Sequence, residues 1–350
     1  MISMTVELAK SYDIFVGGGL LPQCGRFCRE INGGERAVIV SDSNVFPIYG
    51  KTVGDSLKSA GYAVDSFMFE AGEPRKRLET VTDIYHTLAK NSIGRGDIIV
   101  ALGGGVTGDM AGFAAATWMR GIQYIQIPTS LLAQVDSSVG GKTGVDIADG
   151  KNLVGAFWQP SRVIADTGTL STLPAETLTD GMAEVIKTAA IRDAELFKLL
   201  EQKSSPNDEI IARCIDIKRG VVQRDERESG ERRLLNFGHT LGHALEKFYG
   251  YTSMSHGRGV AIGMAAVTRV SEARTLTAAG TSARLEALLK RCGLPAKDTA
   301  NAEKLTKSFG LDKKRESHIL PLILLREIGD AFVYPVDFNG EWPWAIAAAV

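Results

Sequence analysis

Three of the chain's five histidines lie in residues 236–257, NFGHTLGHALEKFYGYTSMSHG. His239 and His243 are four apart in a Pro-free run whose apolar residues, Leu241, Ala244, Leu245 and Phe248, recur at helical spacing, so both imidazoles can leave one helical face. His256 follows a turn rich in Gly and Tyr. Neutral imidazole is the commonest metal ligand, and a catalytic zinc takes about three protein ligands while keeping one position open. Core or surface histidines with no metal are the alternative reading. The stretch itself offers no acidic side chain with an obvious inward pose, so a carboxylate is sought elsewhere. Residues 175–190, AETLTDGMAEVIKTAA, supply one. Glu184 and Lys187 share a helical face, ordinarily as a surface ion pair. Met182, Ala183, Val185 and Ile186 make the surroundings of Glu184 apolar, a setting in which a carboxylate needs a partner such as a metal ion.

A second group of residues suits a nucleotide. The apolar run 97–102, DIIVAL, enters Gly103-Gly104-Gly105-Val106-Thr107-Gly108-Asp109 ahead of a small-residue helix. This satisfies G-x-G-x-x-G between a strand and a helix, where backbone N–H groups can approach a pyrophosphate. A tight turn needed only for packing would look the same. The dinucleotide fingerprint also expects an acid about 20 residues on, and none lies between Asp109 and Asp136. Asp42, ending the earlier strand RAVIV, could serve the ribose with Asn44 beside it, or could simply close an Asx turn. Residues 128–160, PTSLLAQVDSSVGGKTGVDIADGKNLVGAFWQP, read as a long functional loop. Lys142 and Lys151 lie on its glycine-rich backbone, either as point charges for phosphate or as ordinary surface lysines.

Residues 1–170 alternate strand and helix signals, as in a largely parallel sheet covered on both faces. The pattern predicts strands at 36–40, 63–69, 97–102 and 124–127 and a helix at 75–90. From about residue 171 to 350 helical signals dominate, with helices at 210–223, 258–270, 283–292 and 302–309 and a strand at 319–325. The stretch DERESGERR, 225–233, reads as a solvated charged turn. The fold class expected is therefore α/β, with a Rossmann-like nucleotide-binding domain over 1–170 and an all-helical metal-binding domain over 171–350.

With 44% hydrophobic and 23% charged residues, the chain has the composition of a soluble protein long enough for two cores. Forty basic and 41 acidic residues give a net charge of −1, which argues against nucleic acid and anionic membrane as partners. Cys24, Cys28, Cys214 and Cys292 form no C-x-x-C pair, which fits a reducing cytoplasm. Neither a signal peptide nor an 18-residue apolar run is present.

Taken in order, SDSNV (41–45), GEPRKRLE (72–79), ALGGGVTGDMAGFAAATWMRG (101–121), IPTSLLAQVDSSVGGKTGVD (127–146), GKN (150–152), TLP (172–174), GMAEVIK (181–187), LLNFGHTLGHALE (234–246), SHG (255–257) and DKK (312–314) resemble the 3-dehydroquinate synthase family over nearly the whole chain. The resemblance implies an active site in the cleft between the two domains. It implies NAD contacts from Asp42, Asn44, Glu73, Lys76, Gly104, Gly105, Val106, Gly108, Asp109, Thr129, Ser130, Lys142, Lys151, Thr169, Leu170 and Thr172. The metal, zinc or cobalt, would be held by Glu184, His239 and His256, and His243 would face substrate instead. The substrate and phosphate shell would comprise Lys142, Asn152, Lys187, Lys218, Arg232, Asn236, His243, Asp136, one of Lys313 and Lys314, and Arg120, which reaches across a homodimer interface. Two positions depart from the family pattern: Arg258 stands where Glu is usual, and Ser130 replaces the second of a Thr pair.

The activity implied is that of a carbon–oxygen lyase on a small-molecule substrate, 3-deoxy-D-arabino-heptulosonate 7-phosphate. It is converted to 3-dehydroquinate and phosphate by transient NAD-mediated oxidation, phosphate elimination, re-reduction and intramolecular aldol closure, in the shikimate pathway to aromatic amino acids. Three other functions share parts of the pattern: a related sugar-phosphate cyclase, a metal-dependent polyol dehydrogenase and a non-catalytic nucleotide binder. Arg232, Asn236 and the DKK lysines argue against the first, and Lys142, Lys151 and Lys187 would have little to bind in the second.

Overall fold

The computed structural model describes the chain apart from Ser204, Thr252, residues 310–318 and Phe338, and apart from the side chains of 307–309. Lys313 and Lys314 therefore lie outside the described residues. The chain forms two compact units, one of residues 1–173 and 207–223, the other of 174–206 and 224–350.

In the first unit, seven strands form one sheet: β1 (Ile2–Val6), β2 (Tyr12–Gly17), β3 (Arg36–Asp42), β4 (Ala63–Phe69), β5 (Ile98–Gly103), β6 (Gln123–Pro128) and β9 (Arg162–Asp166). Their order is β1-β2-β9-β6-β5-β3-β4. All neighbours are parallel except the edge pair β1–β2, which is antiparallel. Central strands read as unbroken apolar runs because both faces are covered. On β3, Val38 and Val40 face one core with Ile99 and Ala101 of β5, together with Val81, Ile84 and Leu88 of α3 (Leu78–Lys90) and Met110 and Ala114 of α4 (Gly105–Thr117). Ala37, Ile39, Ile98 and Val100 face the other, with Phe27 of α1 (Cys24–Arg29) and Val53 and Leu57 of α2 (Phe46–Ser59). After β3 the chain adds β4 on one side and β5 on the other. The carboxyl ends of β3 and β5 are thus the topological switch point, where open α/β sheets bind ligands.

Residues 128–160 are more regular than a loop. A π-helical turn occupies Ala133–Ser137, and β7 (Lys142–Ile147) pairs antiparallel with β8 (Gly150–Phe157). Composition hid this hairpin because its closeness depends on glycine. A Cβ on Gly155 would stand 2.1 Å from the Thr143 carbonyl oxygen and 3.1 Å from the Gly144 Cα on the opposite strand, so only hydrogen fits.

The second unit is helical apart from an antiparallel hairpin, β10 (Ile319–Glu327) with β11 (Asp330–Asp337). The strand expected at 319–325 is the first arm of that hairpin. Its helices are α5 (Ala175–Arg192), α6 (Ala194–Gln202), α8 (His239–Phe248), α9 (His256–Ala273), α10 (Thr281–Arg291), α11 (Ala302–Phe309) and α12 (Glu341–Ala348). The intervening α7 (Asp208–Arg224) packs with the first unit as far as Gln223. Helix α5 is buried on every side from Gly181 to Ile191, which makes it the central helix of its unit. Among the described residues, no helix is long and apolar enough to cross a membrane.

Candidate active site

At the end of β5, Gly104 caps α4 and leaves Gly105 and Val106 half-exposed at the positive end of that helix. Gly103 and Gly108 have a different part. A Cβ on Gly103 would meet Thr107 Oγ1 at 2.4 Å, and one on Gly108 would meet Gln126 Oε1 at the same 2.4 Å, so both serve packing of α4 on the sheet. Asp42 does close an Asx turn, accepting from the Asn44 and Val45 amides at 2.9 and 3.0 Å. Its other oxygen accepts from Thr107 Oγ1 at 3.3 Å, joining the end of β3 to the first turn of α4.

Beside this cradle is a polar hub. Buried Lys76 donates to Asp109 Oδ2 and to Asn152 Oδ1, both at 2.6 Å. Asn152 adopts φ +55°, and its amide donates to Asp146 Oδ1 at 2.7 Å. Burial would discharge the Lys76 ammonium, but Asp109, Glu73 and Asp146 outweigh it and raise its pKa. Burial pushes the Asp109 carboxyl up despite Lys76; the short contact is that of a charged pair. Lys151 reaches Glu73 at 3.4 Å, while Lys142 projects as an exposed side chain at the start of β7. Lys218, on α7, grips Asp136 through its carboxylate and its carbonyl, each at 2.7 Å. Thr129 holds its amide on the Gly103 carbonyl, and Ser130 stays half-exposed beside Gly104. Thr169 is turned inward, bonded to Gln134 and the Asp166 carbonyl, whereas Leu170 and Thr172 are accessible and Thr172 meets Tyr49 at 2.5 Å. Arg120 is exposed in a turn where Met119, Arg120 and Gly121 all have positive φ.

In the second unit, glycines bring three helices to backbone contact. A Cβ on Gly257 would stand 2.0 Å from the Asp180 carbonyl oxygen of α5, and one on Gly263 would stand 2.0 Å from the Gly238 carbonyl oxygen ahead of α8. Those helices carry the predicted ligands. His239 starts α8 and His256 starts α9, whose entry is held by Asp180 accepting from Ser255 Oγ at 2.5 Å and the Arg258 amide at 3.1 Å. The Arg258 side chain is exposed. Glu184 Oε1 lies 3.6 Å from His239 Nε2 and 3.4 Å from His256 Nε2, and one donor atom from each residue falls within a 4.8 Å cluster. Donors around a tetrahedral zinc at about 2.0–2.1 Å are spaced by about 3.3 Å. Among the described residues, neither Glu184 oxygen has a hydrogen-bond partner, although Lys187 forms an ion pair with it. A buried carboxylate facing two imidazoles at ligand spacing, without hydrogen bonds to them, fits a divalent cation.

Electrostatics divide the two histidines. Burial lowers His239 to about 3. Burial acts on His256 the same way, but Glu184 and Glu246 outweigh it and raise it to about 10. Burial would also raise Glu184, yet Lys187 and the imidazoles hold it well below the usual carboxylate range. His243 is exposed, its ring 5.4 Å from His239 and 5.9 Å from His256.

Three residues escaped the sequence reading. Glu246, in the stretch read as lacking an inward acid, is 3% exposed and lies 3.7 Å from His256 Nδ1. Its i+3 spacing from His243 was the available signal. The charged run 225–233 is not simply solvated. Asp225 accepts from the amides of Ser229, Gly230 and Arg232 at 2.8–2.9 Å and buries Arg232 to 2% exposure. Within the same loop Glu228, at φ +62°, accepts from exposed Asn236 at 2.7 Å.

Residues 66–180 match the family described as 3-dehydroquinate synthase N-terminal, and 181–315 match 3-dehydroquinate synthase C-terminal. A 3-dehydroquinate synthase of Clostridium acetobutylicum is 46% identical over 345 residues, 96% of this chain and 97% of the relative. A solved 2-deoxy-scyllo-inosose synthase, complexed with carbaglucose-6-phosphate, NAD+ and Co2+, is similar at TM-score 0.85 and 26% identity over 100% of both chains. ValA, a 2-epi-5-epi-valiolone synthase from Streptomyces hygroscopicus with NAD+ and Zn2+ bound, is similar at TM-score 0.86 and 28% identity over 100% of this chain and 98% of that one. With both of its halves matched and a near-full-length relative at 46% identity, the chain belongs to the 3-dehydroquinate synthase family.

Proposed function

We propose that this protein converts 3-deoxy-D-arabino-heptulosonate 7-phosphate into 3-dehydroquinate and phosphate, as a phosphate-eliminating lyase without net oxidation. The observation that carries the reading is the Glu184–His239–His256 cluster with Lys187 against its carboxylate. The cation would be zinc or cobalt on those three residues. NAD would lie on the Gly104–Gly105 amides at the switch point, flanked by Asp42, the Lys76 hub and Thr129–Ser130. When bound, NAD supplies reversible two-electron acceptance and the cation supplies Lewis acidity, which together acidify the hydrogen next to the reacting carbon.

The chain's own residues supply charge and position. Lys142 and the Asn152 side-chain amide would hold the leaving phosphate, with Asn152 oriented by Lys76. Arg232 would bind the substrate carboxylate, fixed in place by the Asp225 loop. Lys187, Lys218, Asn236 and the DKK lysines would complete the shell. Exposed His243 would face a substrate hydroxyl and move a proton there. Ring opening and aldol closure then need only a held conformation.

A homodimer is part of the same reading. Support comes from the strained Met119–Arg120 turn, a conformation that persists where surroundings over-determine it, and from exposed Leu153 and Phe157 on β8. The cytoplasm is the proposed location, supported by Cys24 and Cys28, which are buried thiols not joined in a disulfide.

The test mixes purified protein with NAD, zinc and the heptulosonate phosphate while phosphate and NADH absorbance are followed together. Phosphate release without accumulating NADH, lost with chelator and with His256→Ala, is the expected result. NADH accumulating on glycerol-like polyols, with no phosphate released, would move the protein to the dehydrogenases.

A further inference from the structure

Glu246 is a buried carboxylate that the reaction above does not use. It lies on α8, 3% exposed, and such a group is retained only with a partner. Its carboxylate faces His256 Nδ1 at 3.7 Å, while His256 Nε2 faces Glu184 Oε1 at 3.4 Å. A neutral imidazole has one proton and one lone pair, so the two faces of this ring cannot do the same job. If Nε2 gives its lone pair to a cation, the proton sits on Nδ1, toward Glu246. His239 meets the same requirement differently. Its Nδ1 lies 3.1 Å from the Phe237 carbonyl, which can only accept, and its Nε2 faces Glu184 at 3.6 Å.

We propose that Glu246 is a positioning residue for the cation site: it holds the Nδ1 proton of His256 and thereby fixes the ring with Nε2 toward Glu184 and His239. The proposal rests on the divalent-cation reading given above. One rival arrangement exists, because His243, Glu246 and His256 also cluster within 4.8 Å and would use His256 Nδ1 as a ligand. Burial argues against it. Glu184 is 1% exposed with neither oxygen hydrogen-bonded among the described residues, whereas His243 is open to solvent. A desolvated carboxylate that faces two imidazoles gains most from a cation, and it marks the first cluster as the site. The ligands then carry two kinds of outer support, a backbone carbonyl behind His239 and a carboxylate behind His256, of which the carboxylate is the stronger acceptor and raises ligand basicity.

The experiment is zinc titration against a chromophoric chelator for the full-length protein and its variants, with NAD affinity measured in parallel. Glu246→Gln is expected to weaken zinc binding roughly 10- to 100-fold and leave NAD affinity unchanged, while Glu184→Gln abolishes zinc binding. Zinc affinity within twofold of wild type in Glu246→Gln overturns the proposal. So does a loss as complete as that of Glu184→Gln, which would make Glu246 a ligand. A second measurement needs no variant: in zinc-loaded wild type labelled with 15N-histidine, His256 should show a protonated Nδ1 and a coordinated Nε2, and the reverse assignment overturns the proposal. Wild type that takes up no zinc would sink the cation reading itself, an outcome distinct from a variant-specific failure.

Discussion

Glu184 and Lys187 stand one helical turn apart on α5, each with a side chain 1% exposed, and the ammonium of Lys187 is in contact with the carboxylate of Glu184. An i, i+3 pair that would count for little on a surface is here a desolvated pair at the wall of a cation site.

Lys187→Met removes the charge that keeps Glu184 ionised in the metal-free protein. Breaking a buried pair is expected to cost about 3–5 kcal/mol, and saturating zinc should restore most of it, because a cation on Glu184 does the same electrostatic work. Denaturant unfolding with and without zinc checks this; equal losses in both conditions would contradict it.

Lys76→Ala leaves half-buried Asp109 without its ion-pair partner and releases Asn152. Losing one charge-assisted bond is worth about 1.5–3 kcal/mol, so NAD affinity should fall roughly 10- to 100-fold while zinc affinity holds. Fluorescence titration with NAD reads the first and chelator competition the second.

Gly257→Ala places a methyl group 2.0 Å from the Asp180 carbonyl oxygen. Helices α5 and α9 must part, at a cost of about 1–3 kcal/mol, and His256 moves with α9. A lowered Tm together with weaker zinc binding is expected; weaker zinc binding should be absent from Gly280→Ala, at a position with nothing within 4 Å of the added Cβ.

The Asp225 loop sets an acid limit. Burial would raise this carboxyl, but the amides of Arg232, Gly230 and Ser229 and the Ser229 hydroxyl bring it down to about 2 from an ordinary 3.8. A carboxyl depressed in the folded state stabilises fully above its unfolded pKa and loses that contribution as pH falls through its folded one. Protection of the Gly230 and Arg232 amides against hydrogen exchange should therefore weaken as pH drops from about 4 to about 2, and Asp225→Asn should lack this step. An unchanged pH response in the variant would reject the assignment.

Much of the first unit is legible in sequence because the signals are local. The run RAVIV ending in Asp42, the run DIIVAL ending in Gly103, and the 3.6-residue periodicity of α3 each declare an element within a dozen residues. The β7–β8 hairpin was not declared, since its defining property is room for another backbone at Gly144 and Gly155, and a glycine in sequence does not say what approaches it. The same holds for Glu246 and Asp225. Each looks like surface charge in a one-dimensional reading, yet both are buried, Asp225 beneath the amides of its own loop and Glu246 against His256 of the next helix.

By itself, then, the sequence determined the periodicities, the strand-to-glycine junction at the switch point, the donor types at Glu184, His239 and His256, and through its ordered motifs the family. Local spacing left open which donors converge; the family resemblance implied one set, and the tertiary structure supplies the distances between them. His239 and His243 are equivalent by spacing, yet His239 joins His256 around buried Glu184, while His243 clusters with Glu246 and His256 from an exposed position. The physical reason is that a metal site is a property of distances between helices. Those distances are set by where Gly257 and Gly263 let backbones touch, a relation between residues far apart in the chain that no local pattern encodes.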